Sequence, residues 1–129
     1  MKQNLLVAGV WDPAAPRTPE QLERMSPGRQ GAWHEWAVAT ELFRRAALAG
    51  SAEPERVPYW QGGEHELDFV AAPDHLVEVK RGRAAALEFA WFTKAFRKTR
   101  LTVVCSTPFQ ASQVRGVTLD EFLRGRVAE

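Results

Sequence analysis

The chain predicts an α/β domain whose elements run helix, three strands, helix, strand and a further short helix. Three observations predict it. A helical apolar pattern over residues 30–49 ends at Gly50, two short segments alternate apolar and charged residues around Pro73-Asp74, and residues 101–105 form a β-branched apolar run. A chain of 129 residues with 45% hydrophobic content has room for one domain with a sizeable core. Residues 28–129 are read as that domain, and residues 1–27 as an extension packed on it or linking to it.

The extension holds Pro13, Pro16, Pro19 and Pro27, which break any long helix and leave a short turn of helix over residues 19–25. In the helix that follows, placing residues about 100 degrees apart puts Gly31, Ala32, Val38, Ala39, Leu42, Ala46 and Ala49 on one face. Glu35 falls in the middle of that apolar stripe, and Glu41, Arg44 and Arg45 project toward solvent. A carboxylate facing a core is costly unless paired, protonated or metal-bound, although a Glu at the stripe edge could also reach water. Residues 57–60 read as a short strand, and Gln61-Gly62-Gly63-Glu64 as a turn. Residues 84–98 form a second helix, with Leu87, Trp91 and Ala95 on one side and Phe89, Phe92 and Phe96 nearby. Residues 101–105 make a strand buried on both faces, holding Cys105. Thr118 and Glu121 have the capping-box spacing that opens a terminal helix.

The chemistry concentrates in Glu66-Leu67-Asp68-Phe69-Val70 and Leu76-Val77-Glu78-Val79-Lys80. Strand side chains alternate with a period of two, so Glu66, Asp68, Glu78 and Lys80 share one face. A turn at Pro73 sets Asp68 across from Glu78 and Glu66 across from Lys80. Like charges directly opposed destabilise a ladder, and a hard divalent cation held by carboxylate oxygens removes the repulsion. The competing reading is a half-exposed hairpin with an ordinary surface pair between Glu66 and Lys80.

Charge is unevenly distributed. Residues 1–79 carry 7 basic and 12 acidic side chains, whereas residues 80–100 carry 7 basic ones and only Glu88. Arg81, Arg83, Lys94, Arg97 and Lys98 in that basic segment are candidates for tracking a phosphate backbone; each alone is equally a solvated residue favoured by a helix end. The lone Cys105 allows no internal disulfide and fits a reducing, cytoplasmic setting. The apolar run from Leu5 to Val10 is too short for a secretory signal, and no stretch has the length to span a membrane. His34, His65 and His75 lack zinc-ligand spacing, and His65 and His75 flank the charged hairpin. Trp33, Trp36, Trp60 and Trp91 are expected in the core. No phosphate loop of the GxxxxGK[ST] type is present, so the chain is not itself an ATPase.

This order of elements, with Glu35, Asp68 and Glu78-Val79-Lys80, resembles the PD-(D/E)xK nuclease superfamily. The superfamily's proline is replaced here by Leu67. Gly31, Glu35, Glu41-Leu42, Tyr59-Trp60, Glu66-Leu67-Asp68-Phe69 and Glu78-Val79-Lys80 are similar to the domain of unknown function at the C-terminus of many prokaryotic AAA-type ATPases, as is the Asp12-Pro13 start. The resemblance implies a restriction-endonuclease-like α-β-β-β-α-β core, a mixed central sheet flanked by helices, with an extra short C-terminal helix. It implies that Asp68, Glu78, the Val79 backbone carbonyl and Glu66 or Glu35 hold magnesium or manganese, which activates water for phosphodiester attack. Lys80 then orients that water or stabilises the transition state. Asp68, Glu78, Lys80 and Glu35 are thus the expected catalytic set and DNA the expected partner, beside an ATPase domain or subunit. Oligomeric state is left open. The alternative is a nuclease-fold module of little or no turnover that docks nucleic acid or protein and regulates an ATPase.

Overall fold

The computed structural model describes residues 18–51 and 58–125. The Leu5 to Val10 run, the Asp12-Pro13 start and Val57 lie outside the described residues. The chain divides into two compact units, Met1–Arg56 and Val57–Glu129.

In the first unit, α1 spans Pro19–Glu23 and α2 spans Pro27–Leu48. Pro19 and Pro27 each open a helix, α1 being the short turn expected over residues 19–25, and Pro13 and Pro16 lie outside the described residues. Thr18 and Ser26 are the N-caps, accepting hydrogen bonds from the Gln21 and Arg29 amides at 3.2 and 3.4 Å, and a proline follows each cap. Proline's missing N–H costs nothing at the first helical position, where no carbonyl would receive it. The helix stops at Gly50, φ 86°, with Ser51 N–H donating to the Ala46 carbonyl and Gly50 N–H to that of Ala47. This crossed closure needs a left-handed residue, which glycine adopts without strain. Along α2 the buried residues are Val38, Ala39, Glu41 and Leu42. Glu41 therefore departs from the expected solvent face. Arg44 and Arg45 neutralise it, with Arg44 Nε donating to Oε1 at 2.8 Å and Arg45 Nε to Oε2 at 2.6 Å. The Arg44 hydrogen bond is the leading cause that holds this carboxyl below its ordinary range.

The second unit is mixed α/β. Strands β1 (Trp60–Gly62) and β2 (His65–Leu67) form a two-stranded antiparallel ribbon, with Gly63 at φ 60° in its turn. The expected strand over 57–60 thus lies further along the chain, and Gln61 and Gly62 belong to it. Strands β3 (Phe69–Ala72), β4 (His75–Val79), β5 (Arg100–Val104), β6 (Phe109–Ala111) and β7 (Val114–Val117) form a five-stranded sheet in the order β3-β4-β5-β7-β6. The β3-β4 and β6-β7 pairs are antiparallel; β4-β5 and β5-β7 are parallel. Pro73-Asp74 makes the turn between β3 and β4, as its chemistry predicts.

Parallel pairing of β4 with β5 requires a crossover. It is supplied by a 3-10 turn over Ala86–Phe89 that leads into α3 (Ala90–Ala95). This is shorter than the helix expected over 84–98. Glu88 folds back so that Oε2 accepts the Ala85 amide at 2.7 Å, and Phe96 is already extended. Gln113 secures the exit, its Nε2 donating to the carbonyls of Phe96 and Thr99 at 2.8 and 2.6 Å. The inward face carries Phe89 and Phe92, whereas Leu87 is 84% exposed, so the core face is the phenylalanine one. These rings pack with Leu67, Leu76, Leu101, Val103, Cys105 and Val114.

All of Leu101, Thr102, Val103, Val104 and Cys105 are buried, as a central strand and its end require. The β6-β7 hairpin is an addition to the predicted element order. Its turn carries Ser112 at φ 50°, and the Phe109 ring lies over Gly116, where any β-carbon would collide with it. Helix α4 (Leu119–Leu123) starts on Thr118, whose Oγ1 accepts the Glu121 amide at 3.1 Å, as the spacing predicts. Among the described residues, no helix is long and apolar enough to cross a membrane.

Candidate functional site

Asp68 occupies a bend between β2 and β3, so one extended segment serves two sheets and turns at the carboxylate. The β3-β4 register pairs Phe69 with Val77, which brings Asp68 opposite Glu78 as the pleat predicts. Their contact is reciprocal. The Asp68 amide donates to Glu78 Oε1 at 3.0 Å, and the Val79 amide donates to Asp68 Oδ2 at 2.8 Å. Each carboxylate thus holds the other residue's strand through a backbone amide. The β3-β4 ladder, however, does not extend to Glu66 and Lys80. Glu66 lies in β2 opposite Gln61, and its expected position across from Lys80 gives way to this second ribbon.

Lys80 follows the end of β4. Its amide donates to the Val104 carbonyl at 2.8 Å, continuing the parallel ladder, while Nζ lies 3.7 Å from Glu78 Oε2. Asp68 is 6% exposed and the Glu78 side chain 12%, whereas the Lys80 side chain is 41% exposed. Glu78 shares its sheet face with Leu76 and Val103, where the aromatic crossover covers the strands. That burial, followed by the hydrogen bond and charge of Asp68, pushes the Glu78 carboxyl up to about 8; Lys80 opposes the shift only weakly. At neutral pH Glu78 therefore favours its protonated form.

Glu78 borders a recess of about 250 Å³, which Asp68 does not line. Its polar wall consists of Glu64, Glu66, Glu78, Glu88 and Lys80, and Phe89 and Trp91 contribute an aromatic side. Four carboxyl groups facing one ammonium favour a cation and repel a bare phosphate. Two adjoining carboxylates of this kind match the oxygen chemistry of magnesium or manganese. Among the described residues, no group of three or more His, Cys, Asp or Glu side chains is positioned to hold a metal ion. Asp68 and Glu78 are two adjoining carboxyls, fewer than such a group contains.

Asp68, Glu78 and Lys80 are brought together, and Glu66 joins them along the recess wall. Glu35 belongs to α2 of the first unit and is half-buried. Arg81, Arg83, Lys94, Arg97 and Lys98 are all exposed. Arg97 and Lys98 lie beyond the end of α3, so a helix dipole explains neither of them. Glu64, Glu88 and Trp91 were not foreseen as lining residues. Only the charge of the two glutamates hinted at it, because their positions depend on the β1-β2 turn and the 3-10 turn.

Comparison of the chain with protein-family models, with curated proteins and with solved structures gives no match.

Proposed function

We propose that this chain is a divalent-metal-dependent phosphodiesterase acting on DNA, with a restriction-endonuclease-like core. The observation that carries the proposal is the reciprocal Asp68-Glu78 pair with Lys80 3.7 Å from the same glutamate. Element order supports the same reading. An extended segment bending at Asp68, an antiparallel strand bearing Glu78-Val79-Lys80, a helical crossover and a parallel strand follow the α-β-β-β-α-β sequence of the resembling superfamily.

Magnesium or manganese, when bound, supplies an activated water and neutralises phosphate charge. Asp68 and Glu78 are its side-chain holders, with the Val79 carbonyl and Glu66 as the remaining donors that the resemblance implies. A cation held there would compete with the proton for the Glu78 carboxyl. Lys80, part-exposed in its side chain and fixed in its backbone, places an ammonium where negative charge develops on the phosphorus oxygens. The exposed Arg81 and Arg83 follow directly, and the basic segment through Lys98 supplies nonspecific attraction to the phosphate backbone.

A second reading rests on the same hydrogen bonds. Because backbone amides already occupy one oxygen of each carboxylate, the pair also works as a strand clamp, which suits a module that docks beside an ATPase with little turnover. Calorimetric titration with magnesium and manganese separates the two. Wild type should bind, and Asp68→Ala and Glu78→Ala should not; absence of binding to the wild type would sink the enzyme reading. Cleavage of plasmid and single-stranded DNA in manganese should then be lost in Lys80→Ala, with a fall of roughly a hundredfold or more.

A further inference from the structure

The recess ends against a stack of rings that the phosphodiesterase chemistry leaves unused. His65 lies face to face with Trp91, with centroids 3.8 Å apart and planes 3° from parallel. Trp60 runs nearly parallel to Trp91 at 5.9 Å, and Phe96 meets the Trp60 ring edge-on at 5.1 Å. Three separate elements, β1, β2 and α3, contribute these rings, so the stack is fixed from several sides. Gly62 fixes it further, because the Trp60 ring passes where a β-carbon would stand, 2.5 Å away. Yet His65 at the end of the stack is exposed. Trp91 covers one imidazole face.

The imidazole lies flat on Trp91, whose ring is in turn nearly parallel to that of Trp60. Its position supplies a use. His65 and Trp91 line the same recess as Glu78 and Lys80. A nucleotide whose phosphate meets the cation site has its base within the same hollow, and every base offers a π face to an aromatic platform. In a duplex those faces are already covered by neighbouring bases, whereas an unpaired base leaves them open. We infer that the His65-Trp91-Trp60 stack is a base-stacking subsite that selects single-stranded nucleic acid, or an unpaired nucleotide within a strand. This rests on the phosphodiesterase reading for its phosphate end and on ring geometry for its base end.

The test is fluorescence anisotropy of a short labelled single strand and of its duplex, in calcium, for wild type, His65→Ala and His65→Phe. His65→Ala should weaken single-strand binding by roughly five- to a hundredfold, the range for loss of one base stack, while changing duplex binding by less than about twofold. His65→Phe keeps a ring and should retain single-strand binding. Unchanged single-strand binding in His65→Ala overturns the subsite, as does an equal loss for strand and duplex, or binding of free dAMP as tight as that of the strand. The magnesium titration reports separately on Asp68 and Glu78. If His65→Ala has no effect in a protein that binds metal, only the stacking subsite fails; if metal binding is absent while the strand preference stands, only the phosphodiesterase reading fails.

Discussion

Strands β4 and β5 are parallel neighbours in strict register, yet they are built for different ends. Position by position, Leu76 meets Leu101, Val77 meets Thr102, Glu78 meets Val103 and Val79 meets Val104. On β5 every residue from Leu101 to Val104 is buried, and the strand is the middle of the sheet. On β4 only Leu76 and Val77 are buried, and at Glu78 a carboxyl occupies the place that Val103 fills with methyl groups. The difference teaches that a candidate site here needs no special backbone, because the apolar strand beside it supplies the rigidity and the low polarity that shift its protonation.

The contrast can be broken first on the stable side. Leu101→Ala should destabilise the second unit by about 2–5 kcal/mol, since it removes a fully buried side chain among neighbours that cannot collapse. Denaturant unfolding measures it. The next effect has the opposite sign. Glu78→Leu extends the apolar pattern of β5 onto β4 and should stabilise the protein by about 1–4 kcal/mol at alkaline pH, as replacement of buried charges often does. A thermal melt that falls instead would show that the clamp to the Asp68 amide outweighs the charge.

Acidity sharpens the comparison. Glu78 has its carboxyl raised from an ordinary 4.5 to about 8, so the folded chain holds a proton that the unfolded chain releases between those values. Stability from this group is fully present below about pH 4.5 and is lost as pH rises toward 8. The slope approaches ~1.4 kcal/mol per pH unit where Glu78 alone titrates. Glu78→Gln should flatten that slope in chemical denaturation without metal, and an unchanged slope would assign the titration elsewhere. The smallest effect concerns a polar link between the two strands, His75 Nε2 to Thr102 Oγ1 at 2.7 Å. Thr102→Val should cost about 0.5–1.5 kcal/mol, a typical hydrogen-bond increment, read from the denaturation midpoint.

The two strands also mark how far sequence reasoning reaches. Both were legible from alternation and β-branching, and so was the apposition of Asp68 with Glu78, although the register beside the Pro73-Asp74 turn reaches it only through a shift between Val70 and Ala72. What failed depends on nonlocal pairing. Glu66 reads as a continuation of the Asp68 strand, and only the partnership of β2 with β1 removes it from the β3-β4 ladder. The β6-β7 hairpin is absent from the expected order, and within it Gly116 is needed in a strand to admit the Phe109 ring. Glu41 was assigned to solvent because a period of 3.6 has no means of announcing that Arg44 and Arg45 will pair with it under cover. The helix over 84–98 was overextended, since its continuous apolar run hid the change from a 3-10 turn to an α-helix.

Lys80 and Asp68 differ in how they are tied to the chain. Lys80 is held by its amide on Val104, a bond indifferent to the side chain, and its ammonium extends into water. Asp68 is held through its carboxylate, which grips the Val79 amide. Substitution therefore acts differently on the two positions: a change at Lys80 leaves the backbone bond to Val104 in place, whereas a change at Asp68 removes the grip on the Val79 amide.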